Sequence, residues 1–165
     1  MFLQSGKQSR PKYLKQALEA FSRVEDPRFR FLVVGVLMDE IRDEVTQLID
    51  ADDRVTYLGW KTPDELEELF CAADVYLQPG RQSSTMQTSL CCHCAVVLEN
   101  LPSHRLYVDG NGWLLDRPEE IASVFETIHS GKQDLEVMKA RSYTFDCENL
   151  DYAVLAQRVL TEINA

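Results

Sequence analysis

The amino-acid sequence predicts an α/β domain, a Rossmann-like three-layer sandwich in which a parallel sheet of about six strands carries helices on both faces. Three observations lead there. Short apolar runs of strand type alternate with segments whose apolar residues recur at helical spacing. The connections are short, as in βαβ units. The clearest strand candidates are almost continuously apolar, the pattern of strands buried on both faces.

Phe2-Leu3-Gln4-Ser5 is a short first strand. From Lys12 to Val24 the residues Leu14, Ala17, Leu18, Phe21 and Val24 fall at helical spacing. Phe29 to Gly35 is the second strand, rich in Phe and Val. Asp39 to Asp50 is a helix with Ile41, Val45, Leu48 and Ile49 on one face, and Arg54 to Leu58 a strand ended by Gly59. Thr62-Pro63-Asp64-Glu65 spells a helix start, with a Thr cap, a Pro at the first position and a Glu three residues after the cap. That helix runs to about Ala73 and buries Leu66, Leu69 and Phe70. Val75-Tyr76-Leu77 is a strand closed by Pro79-Gly80, a helix begins near Thr85, and Ala95 to Leu98 is a strand. Helices are expected from about Pro118 to Ser130 and from about Asp134 to Ser142, and a last one carries Tyr152, Leu155, Val159 and Ile163 on a stripe.

A chain of 165 residues suits one domain, 1–165, with an interior large enough for a core. Its 45% hydrophobic and 27% charged residues exclude disordered and fibrous classes. No apolar run approaches the roughly 20 residues of a membrane helix, and no signal peptide is visible. No transmembrane segment and a cytoplasmic location are therefore expected. A net charge of -10 argues against a nucleic-acid partner. A small anionic ligand is compatible with it, because a few lysines and a helix N-terminus suffice to hold a diphosphate.

The five cysteines, Cys71, Cys91, Cys92, Cys94 and Cys147, are odd in number and read as reduced thiols. Cys91-Cys92-His93-Cys94 invites a zinc site. Adjacent cysteines diverge on a helix or strand, and no second Cys/His pair follows at finger spacing. Small thiols packing a helix on the sheet are the expectation, and no metal.

In a parallel sheet, ligands bind beyond the C-terminal ends of the strands. The loop after the first strand, Gly6-Lys7-Gln8-Ser9-Arg10-Pro11-Lys12, is cationic where a helix opens. An anion held by Lys7 and Lys12, with Arg10 beside them, is one reading, and a solvated basic loop the other. After the fourth strand come Arg81, Gln82, Ser83, Ser84 and Thr85, with Ser84 and Gln87 spaced as a capping box. Backbone N–H groups there suit phosphate oxygens, and ordinary capping is the alternative. No P-loop motif is present. After the third strand, Gly59-Trp60-Lys61 sets an indole either beside a base or sugar or in packing under the sheet rim. Asp109-Gly110-Asn111-Gly112 is a turn.

Taken in order, the segments resemble the C-terminal domain of GT-B-fold retaining glycosyltransferases of the group 1 type. The resemblance rests on Gly6-Lys7 followed by Lys12, Leu32-Val33-Val34-Gly35, Val55-Thr56-Tyr57-Leu58-Gly59, Ala73-Asp74-Val75-Tyr76-Leu77-Gln78-Pro79, Cys92-His93-Cys94-Ala95-Val96-Val97 and Asp109-Gly110-Asn111-Gly112-Trp113-Leu114. It implies the nucleotide-sugar donor domain of a hexosyltransferase acting on a glycan or lipid-linked acceptor, as in polysaccharide biosynthesis. It further implies no cofactor beyond the nucleotide-diphosphate sugar, and an acceptor-binding N-terminal domain supplied in cis or in trans. By resemblance, Gly6, Lys7, Lys12, Arg81, Ser83, Ser84 and Thr85 would hold the diphosphate, and Gly59, Trp60, Lys61 and Thr88 the base and ribose. One departure stands out. The family carries two glutamates after its fourth strand, whereas nothing between Pro79 and Ala95 is acidic. A non-catalytic, degenerate nucleotide-binding or interaction domain is the alternative, and the domain alone is expected to be inactive.

Overall fold

The computed structural model describes residues 1–81 and 83–163, with Glu162 described by its backbone alone. Gln82, part of the loop after the fourth strand, lies outside the described residues.

Six parallel strands form one sheet in the order β3-β2-β1-β4-β5-β6. They are β1 (Phe2–Gln8), β2 (Phe31–Leu37), β3 (Val55–Tyr57), β4 (Val75–Gln78), β5 (Ala95–Glu99) and β6 (Gly112–Leu115). The eight α-helices are α1 (Leu14–Ser22), α2 (Asp39–Asp50), α3 (Pro63–Ala72), α4 (Thr85–Cys91), α5 (Pro102–Arg105), α6 (Ile121–His129), α7 (Leu135–Asn149) and α8 (Tyr152–Ile163), counted among the described residues.

The start of α3 forms as its sequence spells it. Thr62 Oγ1 accepts from the Glu65 amide at 3.4 Å, and the Glu65 carboxylate accepts from the Thr62 amide at 2.9 Å. Two backbone donors that the helix cannot satisfy internally are thereby paired. Thr62→Ala is expected to cost about 1 kcal/mol, read as a lower urea midpoint at unchanged slope.

Other boundaries move for identifiable reasons. β1 continues past Ser5 because Gly6, Lys7 and Gln8 pair with Gly35, Val36 and Leu37 of β2. The helix expected from Lys12 is split. Arg10–Lys12 form one 3-10 turn opened by Pro11, and Tyr13 at φ 54 breaks the chain's course before α1. α7 runs past Ser142 to Asn149, where Phe145 packs against one core cluster. β6 and α5 were not singled out in the sequence. Both follow β5, where a turn signal covers the strand start.

Each face of the sheet has its own core. On one face α1, α2 and α6 cover Phe2, Val33, Leu77 and Val97. Phe2, Phe21, Phe29, Phe31 and Phe125 meet there, mostly edge to face, with Phe2–Phe125 centroids at 4.9 Å and Phe21–Phe31 at 5.4 Å. On the other face α3 and α4 press Phe70, Met86 and Leu90 onto Leu3, Val34, Tyr76 and Val96.

Candidate functional site

β1 leads through α1 on one face, while its neighbour β4 leads through α4 on the other. Where connections diverge in this way the strand ends leave a crevice, the usual ligand position in such sheets.

On the α3–α4 side of this crevice lies a cavity of about 430 Å³. Its floor is Gly6, Val34 and Gly35 at the ends of β1 and β2. Gly6 and Gly35 are register partners at φ +103 and +112, and a Cβ on Gly35 would stand 1.9 Å from the Gly6 carbonyl oxygen. Only glycine allows so close a backbone approach. One wall is α3, through Pro63, Leu66, Glu67 and Phe70, and the opposite wall is the start of α4, through Ser84, Thr85 and Thr88. The rim is Trp60, 73% exposed, with Lys61. Gly59 at φ +65 turns the chain from β3 to this rim, and its carbonyl accepts from the Gly35 amide at 2.7 Å. Tyr57 Oη donates to the Gly35 carbonyl at 2.9 Å, so floor and rim are tied together.

Behind the α4 wall sits a buried polar cluster that sequence reasoning missed. Tyr76 Oη lies 2.7 Å from Thr85 Oγ1 and 3.3 Å from Ser5 Oγ, and donates to Gln78 Oε1 at 3.2 Å. Ser83 Oγ lies 2.8 Å from Thr85 Oγ1. Burial pushes the Tyr76 phenol above its ordinary pKa, so it stays a neutral hydroxyl. These bonds fix the approach to α4 and replace the expected capping box. Ser84 is already helical, at φ -60 and ψ -27, and its side chain does not cap. An N-cap needs extended backbone there. Gln87 donates instead to Tyr107 Oη at 2.8 Å.

The structure divides the sequence-derived site residues. Gly6, Trp60, Lys61, Ser84, Thr85 and Thr88 line the one cavity, with Gly59 behind its rim and Ser83 in the polar cluster. Lys12 lies on the other side of the loop after β4, where its ammonium donates to the Arg81 carbonyl. Burial lowers the Lys12 pKa from the ordinary lysine value. Gln78 Nε2 donates to the same carbonyl at 2.9 Å, and a Cβ on Gly80 would stand 1.8 Å from the Pro11 carbonyl oxygen. The two loops are thus packed backbone to backbone. Arg81 and Arg10 line a separate depression of about 500 Å³ at the start of α1. Lys7 is exposed at the C-terminal end of β1. Gly35 could have been found in the sequence as a glycine ending an apolar strand. Glu67 carried no signal beyond being one acid of a polar helix.

The cysteine cluster is a helix end. His93 at φ 63 donates its amide to the Leu90 carbonyl, and the Cys94 amide donates to Ser89, both at 2.9 Å, which closes α4 in a Schellman motif. Cys94 Sγ donates to the Phe70 carbonyl at 3.2 Å, and burial pushes the Cys91 and Cys94 thiols up to about 12. Among the described residues no group of three His, Cys, Asp or Glu is placed to hold a metal ion, and no helix is long and apolar enough to cross a membrane.

The glycosyl transferases group 1 family profile matches residues 2–130. The chain belongs to this family. Among solved structures, Alr3699/HepE from Anabaena, crystallised in complex with UDP, superposes with a TM-score of 0.80 at 17% identity, covering 99% of this chain and 48% of that one. The pneumococcal O-GlcNAc transferase GtfA, in complex with UDP and GlcNAc, gives 0.73 at 17% identity over 97% of this chain and 34% of that one. The C-terminal domain of a group 1 glycosyltransferase, LpcC of Francisella tularensis, gives 0.75 at 14% identity over 92% of this chain and 86% of that domain. At such identities these superpositions establish the fold. No curated protein matches the chain. This group 1 glycosyltransferase chain thus spans about half the length of the Anabaena protein.

Proposed function

We propose that this group 1 chain, over 1–165, is the donor-nucleotide domain of a two-domain glycosyltransferase, its acceptor half lying in cis or in trans. The observation that carries the proposal is the cavity at the strand ends. It gathers residues from four distant segments and offers an indole at the rim, hydroxyls on one wall and a backbone floor. A planar base fits against Trp60, with the ribose deeper between α3 and α4. The diphosphate would then leave across Gly6 toward Lys7, with the Ser83–Thr85 backbone beside it. Lys12 would contribute at longer range and by holding the Arg81 loop. The structural neighbours solved with UDP favour a uridine nucleotide as the first ligand to try.

The expected result is a melting-temperature rise with millimolar UDP. Saturation at 100 times Kd adds about 2.7 kcal/mol, roughly 5–10 °C for a chain of this size. Trp60→Ala should cut the rise sharply, and the Lys7→Ala/Lys12→Ala double variant should weaken UDP more than uridine. No shift with UDP, GDP or ADP sinks the proposal. The absence of any acid between Pro79 and Ala95 favours the second reading, a domain that binds the nucleotide without turning it over. Binding of UDP-sugars without release of UDP, even once an acceptor half is supplied, would select that reading.

A further inference from the structure

A second cavity, of about 700 Å³, lies beside the one described above, and three of the five cysteines, Cys71, Cys91 and Cys92, line it. Cys71 sits in the last turn of α3 and is exposed, while Cys92 caps the end of α4 and is half-buried. Cys92 Sγ lies 4.0 Å from the carbonyl of Glu67, one turn before Cys71 on α3, and it hydrogen-bonds with the Cys71 side chain. The other three thiols are engaged elsewhere. Cys91 hydrogen-bonds with Asp146 of α7, and Cys147 with Tyr143 one turn away. Cys94 is buried against the carbonyls of Phe70 and Ala73.

The two sulfurs in contact are unlike. Burial and the hydrogen bond to Cys71 keep the proton on Cys92. Cys71 is the one that a solute in the cavity reaches first. An accessible thiol beside a second, shielded one is the arrangement in which oxidation stops at a disulfide, because the neighbour intercepts the first oxidation product.

We infer that Cys71 and Cys92 form a hydroperoxide-sensitive dithiol, in which Cys71 is oxidised first and Cys92 closes a disulfide between α3 and α4. With hydrogen peroxide, Cys71 gives up its proton and its sulfur attacks one peroxide oxygen. The O–O bond breaks, an S–O bond forms, and the departing oxygen leaves as water, so that Cys71 becomes a sulfenic acid. The Cys92 sulfur then attacks the Cys71 sulfur. An S–S bond forms, the S–O bond breaks, and the hydroxide leaves with the Cys92 proton as a second water. Two thiols are oxidised by two electrons in all, and one peroxide is reduced by two. The link would join the two helices that wall the nucleotide cavity, yet it does not depend on that cavity taking a nucleotide.

The test treats the intact chain with hydrogen peroxide, blocks the remaining thiols with iodoacetamide under denaturing, non-reducing conditions, and maps the linked peptides by mass spectrometry. One dominant product is expected, a Cys71–Cys92 link that dithiothreitol reverses. It should persist in Cys91→Ser. In Cys92→Ser, Cys71 should instead accumulate as a sulfenic acid trapped by dimedone. The oxidised wild type should melt roughly 5–10 °C higher, as a native cross-link restricts the unfolded chain. The same treatment in urea should scatter the links among the five thiols. A dominant link to Cys91, Cys94 or Cys147, a wild-type Cys71 left unlinked, or equal selectivity in urea overturns the inference. So does a link that lowers the melting temperature, since the sulfurs would then not be set at bridging geometry.

Discussion

Gly35→Ala is expected to abolish nucleotide binding and to destabilise the domain by about 3 kcal/mol or more. Two independent costs add. The residue sits at φ +112, where a side chain is strained, and its Cβ would lie 1.9 Å from the Gly6 carbonyl oxygen. That neighbour is backbone, held by the β1–β2 ladder on one side and unable to swing away. Relief requires β1 and β2 to part where they form the cavity floor. Gly6→Ala provides the control. Gly6 is also at positive φ, +103, but a Cβ there meets nothing within 4 Å. Its stability should therefore fall only by the backbone term, about 1–2 kcal/mol. Urea denaturation of the two variants, with UDP titration alongside, measures both effects. Equal losses in the two would show that the close approach of the strands is not what makes Gly35 indispensable.

Phe21→Ala should cost about 3–5 kcal/mol, a large share of the 5–15 kcal/mol by which a domain is stable. Phe21 is fully buried and touches Phe2, Phe29, Phe31 and Phe125, with centroids between 5.4 and 6.4 Å. It therefore joins α1, β1, β2 and α6. Its ring also carries the Arg54 guanidinium 4.6 Å above it, an arginine paired with Asp52 and bonded to the Val24 carbonyl. Truncation leaves a void that four rings from three other segments cannot all move to fill, and it strips a half-buried cation of its aromatic face. Tyr152→Ala on α8, at 84% exposure, should change stability by less than about 0.5 kcal/mol. A Phe21→Ala midpoint within 1 kcal/mol of the wild type, at unchanged slope, would mean that the cluster relaxes far more than its packing suggests.

Much of the fold was legible because it is written locally. The α3 capping box needs four consecutive residues, and its bonds formed as spelled. The α2 boundaries were read from periodicity alone and match Asp39–Asp50. Reading failed where a distant partner overrides the local pattern. Gly6-Lys7-Gln8 resembles a loop, yet pairing with β2 holds it extended and carries β1 past Ser5. Ser84 and Gln87 have the spacing of a capping box. The Tyr76 hydroxyl, nine residues upstream of Thr85, instead fixes how the chain enters α4.

The site divides in the same way. Trp60 and Lys61 follow from their place after the third strand and Thr88 from the family resemblance, and all three line one cavity. That follows from topology, since loops at the same end of a parallel sheet must share an edge. Which of them share a cavity, however, depends on which face each helix covers. Lys12 and Arg81 stand on the far side of a loop packed against Pro11, and Glu67 enters from α3, whose local pattern marks only its cap and its buried apolar face. By itself the sequence determined the alternating α/β architecture, the starts of α2 and α3 and the family, because hydrophobic period, capping and ordered motifs are properties of neighbouring residues. Only the tertiary structure decided the Gly6–Gly35 approach, the Tyr76 cluster and the grouping around the cavity, because each depends on distances between residues far apart in the chain.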